Sequence, residues 1–551
     1  MKQTARPILF TNGRVRTMSQ LGVVDSVLVA NGLIVAVGDR TSVEASLDGP
    51  TLTIDLKQNC VLPGFIDAHS HPVFNAELDV ALDLSGALSI SDMVEIFATA
   101  ASTTPAGKWI HGMSLDLENF DRLPTRWDLD EATSTHPVVA YINGGHFVLA
   151  NTKTLNERGV NEATPSPRGG HLVRDDRGRI TGLFLDAATS LVVPSVDVGC
   201  HGPNLHYQSD AGAVTENLIG LYQKFLTTGV TTIVDAQVSS RELGVYQRAS
   251  SLGGLSIRTV CLALSHQIDE LVSLGIRAGF GSDRLAFRGV KFYVDGTING
   301  GTIKDSDADF MRSQTREHGF PPTLFWDQES LIRAVSTTYE NGLAVALHCH
   351  GDIAIGMALD AVGAARDIVP DGPRPRLEHC SFPSSTQLSR MADLGVICVS
   401  QPLMVHNYGD WLLDQYGDFA RDVMPLRREI EAGITVALSA DNVLPLDPLK
   451  VIQRAAERTC KSGRPIGPEQ ALTIEEGLRA YTADSALTIG LENELGTIEP
   501  GKLADLVILE KDPVMQPISE VGSIETVMTI VGGEIVWESA KSKVSKLLPS
   551  G

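Results

Sequence analysis

No two of the seven cysteines in this 551-residue chain stand in Cys-x-x-Cys spacing. Their odd number and scatter (Cys60, Cys200, Cys261, Cys349, Cys380, Cys398 and Cys460) point to neither a disulfide framework nor a thiolate zinc site. Long apolar runs are missing too. Nothing approaches the roughly 18 apolar residues of a transmembrane helix, and the opening Met1-Lys-Gln-Thr-Ala-Arg-Pro-Ile-Leu-Phe10 lacks the apolar stretch of a secretory signal, so a cytoplasmic location is expected. Positive charge is scarce as well. Against 67 Asp and Glu there are only 45 Lys and Arg, and the net charge of −22 argues against nucleic acid or an anionic membrane as partner. The acidic excess reads more simply as a solubility feature than as a binding site. Hydrophobic content of 43% is ordinary for a globular protein. The length exceeds one ordinary core, and a barrel with insertions plus a small second domain accounts for it.

What the chain does hold is a pair of histidines one residue apart, His69 and His71, at the end of the apolar run Cys60-Val-Leu-Pro-Gly-Phe-Ile-Asp-Ala-His-Ser-His71. Positions i and i+2 of a strand share a face, so both imidazoles can converge on one metal where the strand opens into its loop. Pro63 and Gly64 mark where the preceding segment stops. Alone, the pair reads equally well as two surface histidines beside a turn, because a metal needs further ligands. Further candidates stand at the ends of other apolar runs: Lys291 in Gly289-Val-Lys-Phe-Tyr-Val-Asp295, His348 after Leu343-Ala-Val-Ala-Leu347, His379 in Arg376-Leu-Glu-His379, and Asp441 after Ile434-Thr-Val-Ala-Leu-Ser-Ala440. Polar residues at successive strand C-termini, with helices between, are the sequence form of a (β/α)8 TIM barrel active site, since all its strands end on one face. Cys349 and Cys380 follow proposed histidine ligands, and strand alternation turns them away as small packing residues.

Six segments carry a family resemblance: Leu62-Pro-Gly-Phe-Ile-Asp-Ala-His-Ser-His71, Gly229-Val-Thr-Thr-Ile-Val-Asp235, Val290-Lys-Phe-Tyr-Val-Asp-Gly296, His348-Cys-His-Gly-Asp352, Arg376-Leu-Glu-His379 and Gly496-Thr-Ile-Glu-Pro-Gly-Lys-Leu-Ala-Asp-Leu-Val-Ile-Leu509. By these the chain resembles the metal-dependent amidohydrolase superfamily, in the branch called amidohydrolase family 3 or YtcJ-like. The resemblance runs from the first barrel strand to the last segment. It is specific for superfamily and much less so for substrate.

Both chain ends are rich in short alternating or β-branched runs with Asn-Gly turns, among them Ile8–Val15, Ser26–Gly38, Thr51–Leu56, Asp505–Glu510 and Glu525–Trp537. The resemblance implies that they pair into one β-sandwich, and two unrelated hairpins would leave exposed sheet edges. The expected domains are therefore residues 1–64 plus 488–551 as the sandwich and 65–487 as the metal-dependent barrel. About 150 residues separate the first barrel strand from Gly229, far more than the roughly 30 of a βα unit. Residues 74–215 are read as an insertion, which the resemblance places over the catalytic face as a lid. It carries Trp109, His111, Trp127, His146, Asn151 and Asp186. Of these, His146, Asp186 and Trp109 are candidates for substrate contact, with a structural histidine as the other reading of His146. Gln401, in Gln401-Pro-Leu-Met404, and Trp411 are read at the barrel mouth after strand seven, although core packing accounts for them equally well.

A lysine inside an apolar strand loses part of its preference for the charged form, since burial lowers an ammonium pKa from about 10.4. The resemblance implies that Lys291 takes up CO2 and becomes a carbamate bridging two metals. The plainer alternative is a lysine that snorkels or pairs with Asp295 or Asp305. On the family pattern His69, His71 and Asp441 hold one cation, His348 and His379 a second, and Asp441 serves as general base and then general acid. Zinc is the expected metal, with manganese, iron and cobalt as alternatives. The chain departs from the family's usual His-Ala-Ile-Gly-Asp at His348-Cys-His-Gly-Asp352, so His350 competes with His348 as ligand. Gly351 favours His348, because it signals that the strand is ending. Ala440-Asp441 replaces the usual Ser-Asp, and Thr297-Ile-Asn-Gly-Gly-Thr302 lacks the usual arginine.

The expected function is metal-dependent hydrolysis of a C–N bond (amide, N-formyl or cyclic amide) in a small hydrophobic molecule by a metal-activated hydroxide. Cleavage of an ester, lactone or carbamate, or decarboxylase or isomerase chemistry in the same binuclear site, is the alternative. A small-molecule substrate is the expected partner, with homodimerisation left open.

Overall fold

The computed structural model describes residues 6–547 apart from 48, 79, 118–119, 143, 194–195, 207–208, 299–322 and 442–445. Its centre is a parallel barrel of eight strands: β1 (Phe65–Ser70), β2 (Val230–Val238), β3 (Arg258–Leu264), β4 (Leu285–Tyr293), β5 (Ala344–Cys349), β6 (Arg376–His379), β7 (Ile397–Ser400) and β8 (Thr435–Leu438). Neighbours in sequence are neighbours in the sheet. The ring closes between β8 and β1, where Ser70 bridges in parallel to Asp441 and the Asp441 N–H donates to the His69 carbonyl at 3.1 Å. The expected TIM barrel is therefore the observed one. Its strands lie between the barrel interior and the outer helices, which is why β2, Val-Thr-Thr-Ile-Val-Asp-Ala-Gln-Val, is buried at every position and reads as a continuous run.

The intervening helices start on recognisable caps. Ser239 and Glu242 form a capping box at Ser240–Ser251, as do Ser384 and Gln387 at Ser385–Asp393. Each satisfies backbone N–H groups that a helix start leaves open. At the entrance to β1 a side chain on Gly64 would collide with Thr231, its Cβ 2.3 Å from the hydroxyl, so glycine there is a packing requirement of the β1–β2 pair.

Strands from both chain ends share two sheets. In one, Leu506–Leu509 runs antiparallel to Cys60–Pro63, with Val507 opposite Leu62. In the other, Ser545–Leu547 pairs with Leu52–Asp55. Phe10, Val27, Ile54, Val61, Ile508 and Met528 pack between them, and the Arg16 guanidinium grips Asp512 at 2.7 and 2.8 Å. The expected β-sandwich is thus present. The insertion forms its own six-stranded mixed sheet, including Val138–Ile142, Phe147–Ala150 and Ile180–Asp186. Among the described residues no helix is long and apolar enough to cross a membrane.

Candidate metal centre

The barrel brings all six sequence-predicted ligands to its C-terminal mouth. His69 Nε2 lies 3.4 Å from Lys291 Nζ and 3.9 Å from Asp441 Oδ1, and His71 Nε2 is 3.4 Å from the same oxygen. The His379 ring stands 5.1 Å from His69 and 4.6 Å from His348. Two groups result: His69, His71 and Asp441 offer atoms within 4.8 Å of one another, and so do His348, His350 and His379. The competition between His348 and His350 is thus resolved into proximity of both. His350 lies just past the end of β5, its backbone N–H held by the Asp295 carboxylate at 3.0 Å and its ring stacked on His379 at 4.7 Å.

Strand alternation alone does not build this arrangement. His379 and Asp441 have φ of 69° and 57°, and Cys380 has 42°, conformations that side-chain-bearing residues rarely adopt. The positive φ at His379 breaks the alternation at the end of β6, so neighbouring Glu378 and His379 both serve the centre. Such local strain is maintained only where surrounding contacts over-determine it.

Four of the five imidazoles, all but His71, are oriented by a hydrogen bond through one nitrogen. His69 Nδ1 meets Glu378, His350 Nδ1 meets Ser381 Oγ at 2.7 Å, and His379 Nδ1 meets Gln401 Oε1 at 2.6 Å. His348 is reversed: its Nε2 donates to the Gly296 carbonyl at 3.0 Å, while its buried Nδ1 bonds to no described residue. Outer partners of this kind select the tautomer that leaves the opposite lone pair available to a cation. Glu378 is itself clamped by Arg376 at 2.7 and 3.0 Å, and Arg376 Nη2 also donates to the Ala68 carbonyl at 2.6 Å. Asp67 accepts from the Ala440 N–H and the Tyr481 hydroxyl, each at 3.1 Å, tying β1 to the segment that carries Asp441.

The electrostatics favour neutral nitrogen ligands. Burial, together with the Lys291 charge, lowers His69 to about 4 despite Glu378, and burial with the charge of His69 brings His379 to about 3. His348 and His350 are likewise held well below the ordinary histidine range by burial and neighbouring imidazoles. His71 departs from this pattern: burial would lower it, but Asp235 and Asp441 outweigh that effect and raise it. Asp441 is pushed upward by burial, yet contact with His71 and the charges of His69, His71 and His379 hold it far below the ordinary carboxylate range. Lys291 is fully buried with its ammonium 4.8 Å over the Tyr293 ring, and burial lowers it to about 8 against the pull of Glu378 and Asp441.

The weaker sequence candidates take distinct places. His146 Nδ1 pairs with Asp186 Oδ1 at 2.7 Å, and the His146 ring lies 5.6 Å from His348. Gln401 orients His379 with its carbonyl and donates its amide to Val399 O and Ser439 Oγ at 3.0 Å, a positioning arrangement. Trp109 packs at a tilt on His111 at 5.6 Å against the insertion's own apolar cluster, and Trp411 packs on Tyr416 at 5.5 Å. Asp295 serves the backbone N–H groups of His350 and Gly351. Asp305 and residues 299–302 lie outside the described residues. Residues that sequence reasoning quoted without a role include Glu378, Arg376 and Asp67. The available signal was charge within an apolar strand, the same signal that singled out Lys291.

A third cluster, Cys380, Cys398 and Glu429, is entirely buried. Burial raises the Cys398 thiol well above its ordinary value and Glu429 to about 7, which favours protonated groups over anionic ligands there.

Comparison with known proteins agrees with this geometry. The amidohydrolase family profile matches residues 52–537. The chain is 27% identical to an N-substituted formamide deformylase of Arthrobacter pascens over 98% of this chain and 99% of that protein. It is 26% identical to the putative amidohydrolase YtcJ of Bacillus subtilis (strain 168), over 94% and 96% of the two. In fold it matches the crystal structure of an uncharacterized metal-dependent hydrolase from Pyrococcus horikoshii OT3, with a TM-score of 0.73, 24% identity and coverage of 94% and 99%. The chain belongs to the amidohydrolase family and is a hydrolase acting on carbon–nitrogen bonds.

Proposed function

We propose that the enzyme hydrolyses an amide, N-formyl or cyclic amide bond of a small hydrophobic molecule at a binuclear centre. The observation that carries this reading is the pair of ligand groups flanking a fully buried lysine at the barrel mouth. The residues fit such a centre. The buried, unpartnered Nδ1 of His348 and the neutral imidazoles around it are donors waiting for an acceptor of lone pairs, and mixed imidazole and carboxylate donors suit zinc.

On this reading His69, His71 and Asp441 hold one cation and His348 and His379 the other, with His350 beside them. Lys291 would supply an anionic oxygen ligand as a carbamate: its neutral Nζ would add to the carbon of CO2 and release a proton, and the lowered pKa of about 8 makes the neutral amine accessible near physiological pH. When bound, the cations supply an activated water nucleophile and polarise the substrate carbonyl. Asp441 is the only carboxylate of the two groups, and it accepts the proton released on attack and returns it to the leaving nitrogen. Glu378 and Gln401 keep His69 and His379 in the orientation the site needs. The seven cysteines are free thiols, which supports a reducing, cytoplasmic setting.

Metal analysis by plasma mass spectrometry on chelator-free protein, combined with mild peptide mass analysis of Lys291, tests the proposal. About two transition metals per chain and a carboxylated Lys291 are expected. One metal with an unmodified lysine replaces the binuclear reading by a mononuclear site at His69, His71 and Asp441.

A further inference from the structure

We propose that His146, carried on the insertion and aimed by Asp186, accepts a hydrogen bond from the substrate's amide N–H and thereby selects N-monosubstituted amides over esters of the same shape. This rests on the amide-hydrolase reading above and names a specificity element within it.

Placement comes first. His146 directly precedes the insertion strand Phe147–Ala150, yet its ring lies 5.6 Å from His348 and 5.8 Å from Tyr293, side chains of barrel strands. The insertion thus presents an imidazole to the wall of the metal centre. The tautomer comes next. Asp186 Oδ1 lies 2.7 Å from His146 Nδ1, and a carboxylate can only accept, so Nδ1 carries the hydrogen and the tautomer selected is the one whose lone pair is on Nε2. Nε2 bonds to no described residue, and a tenth of the side chain stays exposed.

The dyad is also built at a conformational cost. Asp186 has φ 52° and ψ −125°, a region favouring glycine, and its own N–H donates to the His146 carbonyl at 2.7 Å. The two residues are therefore tied through both backbone and side chain. Space for the carboxylate is kept by Gly296, where a Cβ would come within 2.9 Å of Asp186 Oδ2. Strain held in place by a double tie, beside a candidate ligand, marks a site at which the orientation of one ring matters.

The chemistry follows from the lone pair. A secondary amide offers N–H to Nε2, and the bond persists when that nitrogen becomes tetrahedral and leaves as an amine. The bridging oxygen of an ester offers only lone pairs, so it meets the imidazole acceptor without a hydrogen between them. A site built to hydrogen-bond a substrate N–H discriminates strongly against the analogue that lacks it.

The test compares kcat/KM of the metal-loaded enzyme on matched pairs: N-alkylformamide with alkyl formate, and N-alkylacetamide with alkyl acetate. In His146→Ala the amide member is expected to fall about 100-fold more than the ester member, with metal content unchanged. Asp186→Asn, whose amide oxygen still accepts from Nδ1, keeps most of the preference, whereas Asp186→Leu loses it and supplies the same readout should His146→Ala fail to fold. Equal losses on both members, or no loss on the amide, overturn the proposal and leave the amide-hydrolase reading standing. A wild type that hydrolyses neither member of either pair overturns that reading, and this proposal falls with it.

Discussion

The two ligand groups at the barrel mouth differ in charge. Behind His69, His71 and Asp441 stand carboxylates: Glu378 on His69 and Asp235, whose Oδ1 is 3.8 Å from His71 Nδ1. Behind His348, His350 and His379 the hydrogen-bond partners are neutral, the Gly296 carbonyl, the Ser381 hydroxyl and the Gln401 amide, and a carboxylate, that of Asp295, stands 3.6 Å from His348 Nε2. The first group compensates a cation's charge directly. The second offers three imidazole nitrogens, a donor type that suits zinc. On the proposed binuclear reading, the first position is expected to hold its cation more tightly and the second to exchange it more readily.

Removing a ligand from the stronger group breaks the comparison most severely. His69→Ala is expected to abolish turnover and lower bound metal, checked by steady-state assay and plasma mass spectrometry, and full metal with a full rate would remove His69 from the site. Asp441→Asn comes next: the fold and part of the metal remain, while kcat falls by about 10²- to 10⁴-fold as the proton acceptor is lost. A wild-type rate would mean that another residue is the base.

Smaller effects separate the two positions. Glu378→Gln and Gln401→Ala should each weaken metal binding by about 10- to 100-fold, the first at the carboxylate-rich position and the second at the imidazole position, resolved by stepwise chelator titration. Glu378→Gln carries an added loss of stability of about 3–5 kcal/mol, read by denaturant unfolding, because it leaves buried Arg376 without its charge partner.

The smallest effect concerns pH in the metal-free protein. Folded His69 and His379 lie near 4 and 3, below the ordinary 6.5. Between 6.5 and about 3 the unfolded chain therefore binds more protons than the folded one, and stability falls as pH falls through that window. Bound metal, which occupies the same lone pairs, keeps the folded histidines unprotonated to lower pH and should therefore steepen this dependence. Chemical denaturation at a series of pH values, with and without zinc, checks the sign.

Much of this was legible in the chain. His69 and His71 were marked by period-two spacing at the end of an apolar run, and Lys291 by its charge in a strand otherwise suited to burial. The family resemblance anticipated the sandwich, now seen in the pairing of Val507 with Leu62. Glu378 was in plain view beside His379, but alternation assigns neighbours to opposite faces, and only the positive φ of His379 lets both serve one centre. Gln401 was read as barrel-mouth lining, whereas its hydrogen bonds orient His379.

By itself the sequence determined which residue types stand at which strand ends, because burial and strand periodicity are local properties written in the order of residues. Tertiary structure alone decided which nitrogen each histidine presents, that His350 stands beside His348, and that His146 answers to Asp186. Those outcomes depend on contacts across the closed barrel and insertion. The partner that orients His69 lies 309 residues away along the chain, a distance no local pattern spans.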